Sequence, residues 1–348
     1  METKFWQMSV DKPDLKMIKE AATLLREGQV VAFPTETVYG LGANALDSKA
    51  IKKIYLAKGR PDDNPLIVHI SDVEQLNDLV TSISPQAQKL IDNFWPGPLT
   101  LVMAKSTLVP PLVTGGLDTV AVRMPAHPIA LKLIHEAQLP IAAPSANISG
   151  KPSPTTAQHV WQDLQGKIAG LIDGGHAGVG VESTVLDLTT DVPTILRPGG
   201  ITLEELKEVL GEVKLDPHLS NKELAPKAPG MKYTHYAPDA PVFIVEGTLG
   251  QIKDKFMEII KREKNKKIGL MVSQEVYQEL QEKLPENFHL EIVGERSQLA
   301  LVAANLFSVL RRFDQGDVDM IYAEAFPQVD IGAAIMNRLY KAAGGKRI

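Results

Sequence analysis

The sequence of 348 residues contains no cysteine. This absence excludes disulfide bonds, cysteine–zinc sites, iron–sulfur clusters and catalytic thiols. Long apolar runs are also missing, because the least charged stretches, 93–104 and 137–150, contain prolines and fall short of the ~20 apolar residues of a membrane helix. The first fourteen residues carry charges and lack the apolar core of a signal peptide. We therefore expect a cytoplasmic protein that does not enter a membrane.

The sequence also lacks an excess of positive charge. Lysine and arginine number 37 against 42 aspartates and glutamates, a formal net charge of −5. A protein that coats nucleic acid would be strongly basic, so the net charge argues against that class, although it is compatible with a local basic cleft. Walker A, GxGxxG, HExxH and GxSxG motifs are absent. An enzyme that acts on nucleotides would therefore need another phosphate-binding loop.

The length suggests about two domains. Residues 213–241 contain five prolines and no apolar periodicity, which predicts a linker. A loop of this length is usually functional or mobile. We predict a first domain over 1–215, a linker or lid over 216–240 and a C-terminal domain over 241–348.

The two predicted domains differ in fold. Strands and helices mix irregularly in the first, which predicts an α/β fold with a twisted mixed sheet. The second alternates strands at 242–245, 268–272, 290–293 and 320–323 with helices at 249–262, 274–283, 298–313 and 331–343. Four strand–helix pairs predict a smaller Rossmann-like parallel sheet.

Two polar clusters follow early strands. Pro34–Ala45 (PTETVYGLGANA) follows a strand at 29–33 and is predicted to be a strand-to-helix loop. It offers three hydroxyls, one carboxylate and two glycines, which suits a ligand loop but also a solvated turn. Lys58 and Arg60 lie beyond a helix, where they could bind polyphosphate or complement the helix C-terminus.

Two side chains stand inside apolar strands. His69 in such a strand is more commonly a satisfied buried histidine than a ligand or base. An unpaired buried arginine is costly, so Arg123 must meet a carboxylate. That carboxylate could come from the protein or from a substrate.

Further polar clusters follow later in the chain. Ala143–Val160 holds several small hydroxyls and an asparagine ahead of a predicted helix, which suits an anion-binding loop or a polar capping loop. Ser183 begins a strand, and Arg197 precedes a Pro-Gly-Gly turn. Tyr236 lies in APGMKYTHYAP, whose aromatic residues suggest docking onto another surface.

Together these stretches resemble the threonylcarbamoyl-AMP synthase family, in its two-domain form with an N-terminal YrdC-like domain. The resemblance rests on PTETVYGLGANA, KGRPDDNPLIVHI, WPGPLTLV, VAVRMPAHP, PSANISGKPSPT, ESTVLDL, LRPGG and APGMKYTHYAP, in that order. It implies a nucleotidyltransferase that makes threonylcarbamoyl-AMP and pyrophosphate from L-threonine, bicarbonate or CO2, and ATP with Mg²⁺. The product would pass to the machinery that modifies a tRNA adenosine beside the anticodon.

The resemblance also implies the roles of individual residues. Those expected to hold threonine are Thr37, His69, Arg123, Ala143 and Ser183. Those expected to hold ATP are Lys58, Arg60, Asn64, Thr119, Ser145, Asn147, Ser153, Arg197 and Tyr236. Mg²⁺ is expected on the phosphates, without protein ligands, and the linker is expected to act as a lid.

Three other functions compete with this interpretation. A carbamoyl-transfer maturation factor of the HypF type carries a similar domain, but it also carries cysteine zinc fingers, which are absent here. Weak binding of tRNA or double-stranded RNA is possible on a local basic face, although the net charge and the lack of an aromatic platform disfavour it as the main role. A scaffold protein would not need so many polar loop motifs.

Overall fold

A computed structural model of the chain describes residues 2–219 and 235–348. These residues form two compact units. The first contains 2–149 and 153–219, and the second contains 150–152 and 235–348. Of the predicted linker over 216–240, residues 220–234 lie outside the described residues. In the part of the chain that the structure describes, no helix is long and apolar enough to cross a membrane.

The first unit is built on an eleven-stranded mixed sheet. Its strands are β1 (Lys4–Gln7), β2 (Val31–Phe33), β3 (Gly40–Asn44), β4 (Ile67–His69), β5 (Leu99–Ala104), β6 (Thr119–Arg123), β7 (Ile141–Ala142), β8 (Gly170–Asp173), β9 (Thr184–Asp187), β10 (Thr194–Arg197) and β11 (Lys214–Leu215). Their order across the sheet is β1-β8-β2-β3-β7-β4-β6-β5-β9-β10-β11.

Eight helices accompany this sheet in the described residues. They are α1 (Leu15–Arg26), α2 (Ser48–Lys58), α3 (Leu76–Leu79), α4 (Pro85–Phe94), α5 (Pro111–Thr114), α6 (Pro128–Ala137), α7 (Ala157–Leu164) and α8 (Leu203–Leu210), with 3-10 turns at Val73–Gln75 and Pro217–Leu219. Hydrogen bonds from capping side chains determine where several of these helices begin. Asp47 accepts from the Lys49 amide ahead of α2, and Thr202 forms a capping box with Glu205 ahead of α8.

The directions of the central strands place several polar residues at one edge of the sheet. β4 runs parallel to β6, β6 antiparallel to β5, β5 parallel to β9, and β9 antiparallel to β10. The carboxyl ends of β4, β6 and β10 therefore share an edge with the amino end of β9. His69, Arg123 and Arg197 are the last residues of the first three strands, and Ser183 directly precedes the fourth.

The stretch Pro34–Ala45 differs from its prediction as a continuous loop. Residues 40–44 form β3, which pairs antiparallel with β2 and β7. A side chain at Gly42 would place its Cβ 2.6 Å from the Phe33 ring and 2.8 Å from an Ile141 methyl carbon. Packing, rather than a ligand, therefore demands this glycine. The part that remains a loop is 34–39.

The second unit carries a four-stranded parallel sheet in the order β12-β15-β13-β14. Its elements are β12 (Val242–Val245), α9 (Leu249–Arg262), β13 (Ile268–Ser273), α10 (Gln274–Leu280), β14 (Phe288–Gly294), α11 (Leu299–Phe313), β15 (Met320–Glu324) and α12 (Gly332–Ala342). Strands alternate with helices throughout, as the sequence predicts.

β12 lies at one edge of this sheet, and backbone groups on its outer side are already hydrogen-bonded. The Ile244 amide donates to the Lys346 carbonyl at 3.1 Å, and the Ile348 amide donates to the Ile244 carbonyl at 2.9 Å. The Glu246 amide donates to the Ile348 carbonyl at 3.1 Å. Residues 346–348 thus satisfy the backbone groups that an edge strand would otherwise expose.

Candidate active site

Arg123, at the end of β6, lies at the centre of a buried polar cluster. Its Nη1 donates to the Thr37 hydroxyl at 2.9 Å, and its Nε donates to the Gly97 carbonyl at 3.2 Å. Its Nη2 lies 2.6 Å from Glu36 Oε1. Of the two carboxylate sources that the sequence left open, the protein itself supplies one, Glu36. The guanidinium therefore joins the loop 34–39 to the end of a central strand.

His69 pairs with Arg123 across the parallel strands β4 and β6. Its Nδ1 lies 3.2 Å from the Ile67 carbonyl. Burial, with a smaller contribution from the positive charge of Arg123, lowers the pKa of His69 to about 3. The imidazole is therefore neutral near pH 7 and can form a hydrogen bond with a polar ligand.

This lowered pKa makes the stability of the protein depend on pH. The unfolded chain, in which His69 has a pKa near 6.5, binds more protons than the folded chain between about pH 6.5 and 3. We expect the free energy of unfolding to decrease as pH is lowered through this window, by up to about 1.4 kcal/mol per pH unit from His69. Urea unfolding of wild type and His69→Gln at several pH values measures this, and equal slopes for the two proteins would contradict it.

Ser183 and Arg197 meet at the β9–β10 end of the same edge. Arg197 donates from Nη2 to the Ser183 carbonyl at 2.9 Å and to its hydroxyl at 3.2 Å. The Ser183 hydroxyl also lies 2.7 Å from the Thr100 hydroxyl of β5. One residue earlier in the chain, Glu182 accepts a 2.5 Å hydrogen bond from Ser153. Predicted threonine and ATP residues are thus in direct contact here.

Lys58 holds the loop that follows β7. This lysine is 3% exposed, and its Nζ donates to the Ser145 carbonyl at 2.5 Å, to the Asn147 carbonyl at 2.7 Å and to Asn147 Oδ1 at 3.3 Å. The Ser145 hydroxyl lies 2.5 Å from Asn147 Oδ1. Lys58 therefore shapes the loop rather than only complementing the end of α2.

Backbone hydrogen bonds connect these groups. The Val179 amide donates to the Glu36 carbonyl at 2.7 Å, and the Gly180 amide donates to the Thr37 carbonyl at 3.1 Å. The Ala146 amide donates to the Tyr39 carbonyl at 2.8 Å. The loops 34–39, 143–149 and 177–183 consequently form one network around Arg123.

Five further predicted residues have other partners or positions. Arg60 Nη2 lies 3.3 Å from the Asn64 carbonyl, so these two residues meet each other. Thr119 begins β6, about 13 Å along the strand from Arg123 at its other end. Tyr236 belongs to the second unit, where its ring centroid lies 5.2 Å from that of Phe307. Ala143 follows β7, and its amide donates to the Ile67 carbonyl at 2.9 Å.

Sequence reasoning assigned no role to three residues that the structure places in this network: Glu36, Thr100 and Glu182. Glu36 was visible as the single carboxylate of its motif, next to Thr37. Among the described residues, both of its carboxylate oxygens, Arg123 Nη2 and Asn64 Nδ2 are buried without a hydrogen-bond partner. Buried polar atoms of this kind are rare in folded proteins and suggest a site built for a ligand.

Comparison with known proteins assigns the family. Residues 23–199 match the Sua5/YciO/YrdC family, described as telomere recombination, and residues 201–344 match the family described as threonylcarbamoyl-AMP synthase, C-terminal domain. The threonylcarbamoyl-AMP synthase of Bacillus subtilis is 52% identical over 358 residues, with 100% of both chains covered. The chain belongs to the threonylcarbamoyl-AMP synthase family. It is therefore an enzyme of the nucleotidyltransferase type.

Further members of the family resemble the chain over nearly its full length. The threonylcarbamoyl-AMP synthase of Pyrococcus abyssi is 54% identical over 330 residues, with 94% of each chain covered. A crystal structure described as P. abyssi Sua5 complexed with L-threonine superposes with a TM-score of 0.92 at 49% identity, covering 100% of this chain and 99% of the other. The predicted fold, a mixed-sheet domain with a smaller parallel-sheet domain, is confirmed.

Proposed function

We propose that this threonylcarbamoyl-AMP synthase family member joins L-threonine, bicarbonate or CO2, and ATP into threonylcarbamoyl-AMP, with release of pyrophosphate. The product would serve the machinery that modifies a tRNA adenosine beside the anticodon. The observation that carries the proposal is the meeting of Thr37, His69 and Arg123 from three separate elements of the first unit. The similarity to a relative crystallised with L-threonine supports it.

The proposed threonine site combines complementary polar groups. Arg123 offers a positive charge for a carboxylate, while His69 and Ser183 offer partners for a hydroxyl. The Ala143 backbone and the Thr37 hydroxyl would complete the set. These groups are 5% exposed or less, so a bound amino acid would lose most of its water. Electrostatic interactions are stronger in such surroundings than in water.

The proposed ATP site adjoins the threonine site through Ser183 and Arg197. Its residues would be Lys58, Arg60, Asn64, Thr119, Ser145, Asn147, Ser153 and Arg197, with Tyr236 proposed on the family resemblance alone. Lysine and arginine suit phosphate groups, as a point charge and a planar fork respectively. Mg²⁺ is proposed as the ion that ATP carries on its phosphates. The described residues contain no group of three or more His, Asp or Glu that could hold a metal ion, so no step is assigned to a protein-bound metal.

The proposed mechanism needs no covalent intermediate on the protein. The threonine amine first forms a carbamate, either by adding to CO2 with loss of a proton or by condensing with bicarbonate with loss of water. A carbamate oxygen then attacks the α-phosphorus of ATP, and the bond to the pyrophosphate leaving group breaks. The protein would contribute position and charge: Arg123 and His69 would fix the amino acid, and Arg60 and Arg197 would stabilise the phosphates.

A pyrophosphate-release assay tests this function. Purified protein is incubated with ATP, threonine and bicarbonate together, and then with each omitted in turn. We expect release only from the complete mixture, because the carbamate needs both threonine and bicarbonate, and the pyrophosphate comes from ATP. Release from ATP that does not depend on threonine would contradict the proposal, and so would salt-sensitive RNA binding without any release.

Arg60 provides a prediction for the nucleotide half of the site. It lies just beyond α2 and is half-buried. We expect Arg60→Ala to lower the turnover number at least tenfold at saturating threonine, because a planar cation on the phosphates is lost. Lys52→Ala, an exposed change on the same helix, is the control and should leave turnover unchanged. Wild-type turnover of Arg60→Ala at saturating ATP would refute the role.

A further inference from the structure

The contact between Glu36 and Arg123 is close but incomplete. Arg123 Nη2 and Glu36 Oε1 form an ion pair at 2.6 Å, but within the described ranges neither atom makes a contact with hydrogen-bond geometry. Glu36 Oε2 has none either, and the Glu36 side chain is only 15% exposed. The other donors of this guanidinium are directed to Thr37 and Gly97. Glu36 Oε2 therefore remains for a ligand, and Arg123 Nη2 can still form a hydrogen bond of better geometry.

The charges at this point are balanced. Burial lowers the pKa of both nearby histidines, His69 and His127, so both are neutral near pH 7. His127 Nδ1 in addition accepts a hydrogen bond from the Ile129 amide, which requires an unprotonated nitrogen. One cation, Arg123, thus faces one anion, Glu36. A ligand that preserves this balance must bring a negative group for Arg123 and a cationic donor for Glu36.

If threonine is the substrate, as proposed above, its ammonium group needs an anionic partner. We propose that Glu36 binds the α-ammonium group of threonine through Oε2, while the threonine carboxylate faces Arg123 Nη2. The four charges then alternate in sign, and Glu36 Oε2 and Arg123 Nη2 each gain a hydrogen-bond partner. Glu36 would hold the nitrogen that forms the new bond to carbon. It would also restrict the substrate to α-amino acids, since a hydroxy acid lacks the ammonium group.

An alternative is that Glu36 only occupies Arg123 until the threonine carboxylate displaces it. Charge disfavours this alternative, because a carboxylate that arrived without an ammonium group would add a second negative charge beside a largely buried glutamate. The two possibilities predict opposite effects of neutralising Glu36.

The test measures binding by calorimetry with two ligands that differ only at the amino group. The ligands are L-threonine and (R)-3-hydroxybutanoate, which has hydrogen in place of the ammonium group. Each is titrated into wild type, Glu36→Gln and the exposed control variant Glu208→Gln. We expect wild type and the control to prefer threonine at least tenfold. We expect Glu36→Gln to lose about ten- to a hundredfold in threonine affinity, with little change for the analogue, because one charge-assisted hydrogen bond is lost.

Other outcomes would overturn the inference. Equal losses for both ligands would show a merely structural role, and tighter binding of both would show that Glu36 competes for Arg123. If Glu36→Gln does not fold, Glu36→Asp replaces it and should lose threonine affinity about threefold or more without affecting the analogue. Wild-type protein that binds threonine while Glu36→Gln binds it equally well refutes the inference alone. Wild-type protein that does not bind threonine refutes the proposed function as well.

Discussion

Replacing Arg123 by methionine is expected to lower the free energy of unfolding by about 3–5 kcal/mol, because Glu36 would stay buried without its counter-ion. The Thr37 hydroxyl and the Gly97 carbonyl would lose donors at the same time. Pyrophosphate release should fall at least a hundredfold, since the proposed carboxylate site disappears. Urea unfolding and the release assay measure the two effects separately.

The double variant Glu36→Leu with Arg123→Met separates stability from function. Removing both charges leaves no unpaired ion, so much of the lost stability should return while activity stays absent. Lys283→Met, which breaks the exposed pair with Glu279 in the second unit, is the control and should change stability little. A double variant whose loss equals the sum of the two single losses would show that the two charges do not interact.

Replacing Lys58 by methionine is expected to have the second large effect. Three oxygens of Ser145 and Asn147 would lose their shared donor. Asn147 Oδ1 keeps its hydrogen bond from the Ser145 hydroxyl, whereas both carbonyls lose a charge-assisted hydrogen bond. Because removing buried hydrogen bonds to a charged group is costly, we expect a loss of about 3 kcal/mol in the free energy of unfolding. The loop 143–149 would lose its shape, and pyrophosphate release should fall about a hundredfold or more.

Lys53→Met is a matched control for this change. Lys53 lies on the same helix, and its Nζ donates to the Gly28 carbonyl at 2.8 Å and to Gln29 Oε1 at 3.1 Å. The control removes a lysine with comparable contacts outside the network around Arg123, so activity should be retained. Faster hydrogen exchange at amides 145–149 in Lys58→Met, but not in Lys53→Met, would locate the effect. Equal activity of the two variants would contradict the role of Lys58.

The sequence predicted the second unit better than the first. Its strands are apolar runs, and its helices begin at capping residues such as Thr248 and Ser273, so local signals sufficed. In the first unit, the local signals are less uniform. α1 was predictable from its Asp14 cap and its apolar spacing. β3 was not, because GLGAN contains no β-branched residue and owes its strand conformation to β2 and β7.

The candidate site was likewise predictable from the sequence only in part. The motifs identified most of the residues in the network, because clusters of polar residues beside strands can be recognised in the sequence alone. The partner of Arg123 was not predictable, because Glu36 reaches it only through the order of strands in the sheet. The role of Lys58 in shaping the 143–149 loop was equally hidden, since its acceptors lie far along the chain. The domain boundaries and the assignment of residues to threonine or ATP stay predictions.

The residues that pair with β12 have a consequence for how the protein behaves at high concentration. An uncovered outer strand would offer a row of amides and carbonyls on which a neighbouring polypeptide could add a strand of its own. Residues 346–348 already occupy those groups through Ile244 and Glu246. On this side, the small sheet cannot grow from molecule to molecule, so one route to self-association is closed by the protein's own backbone.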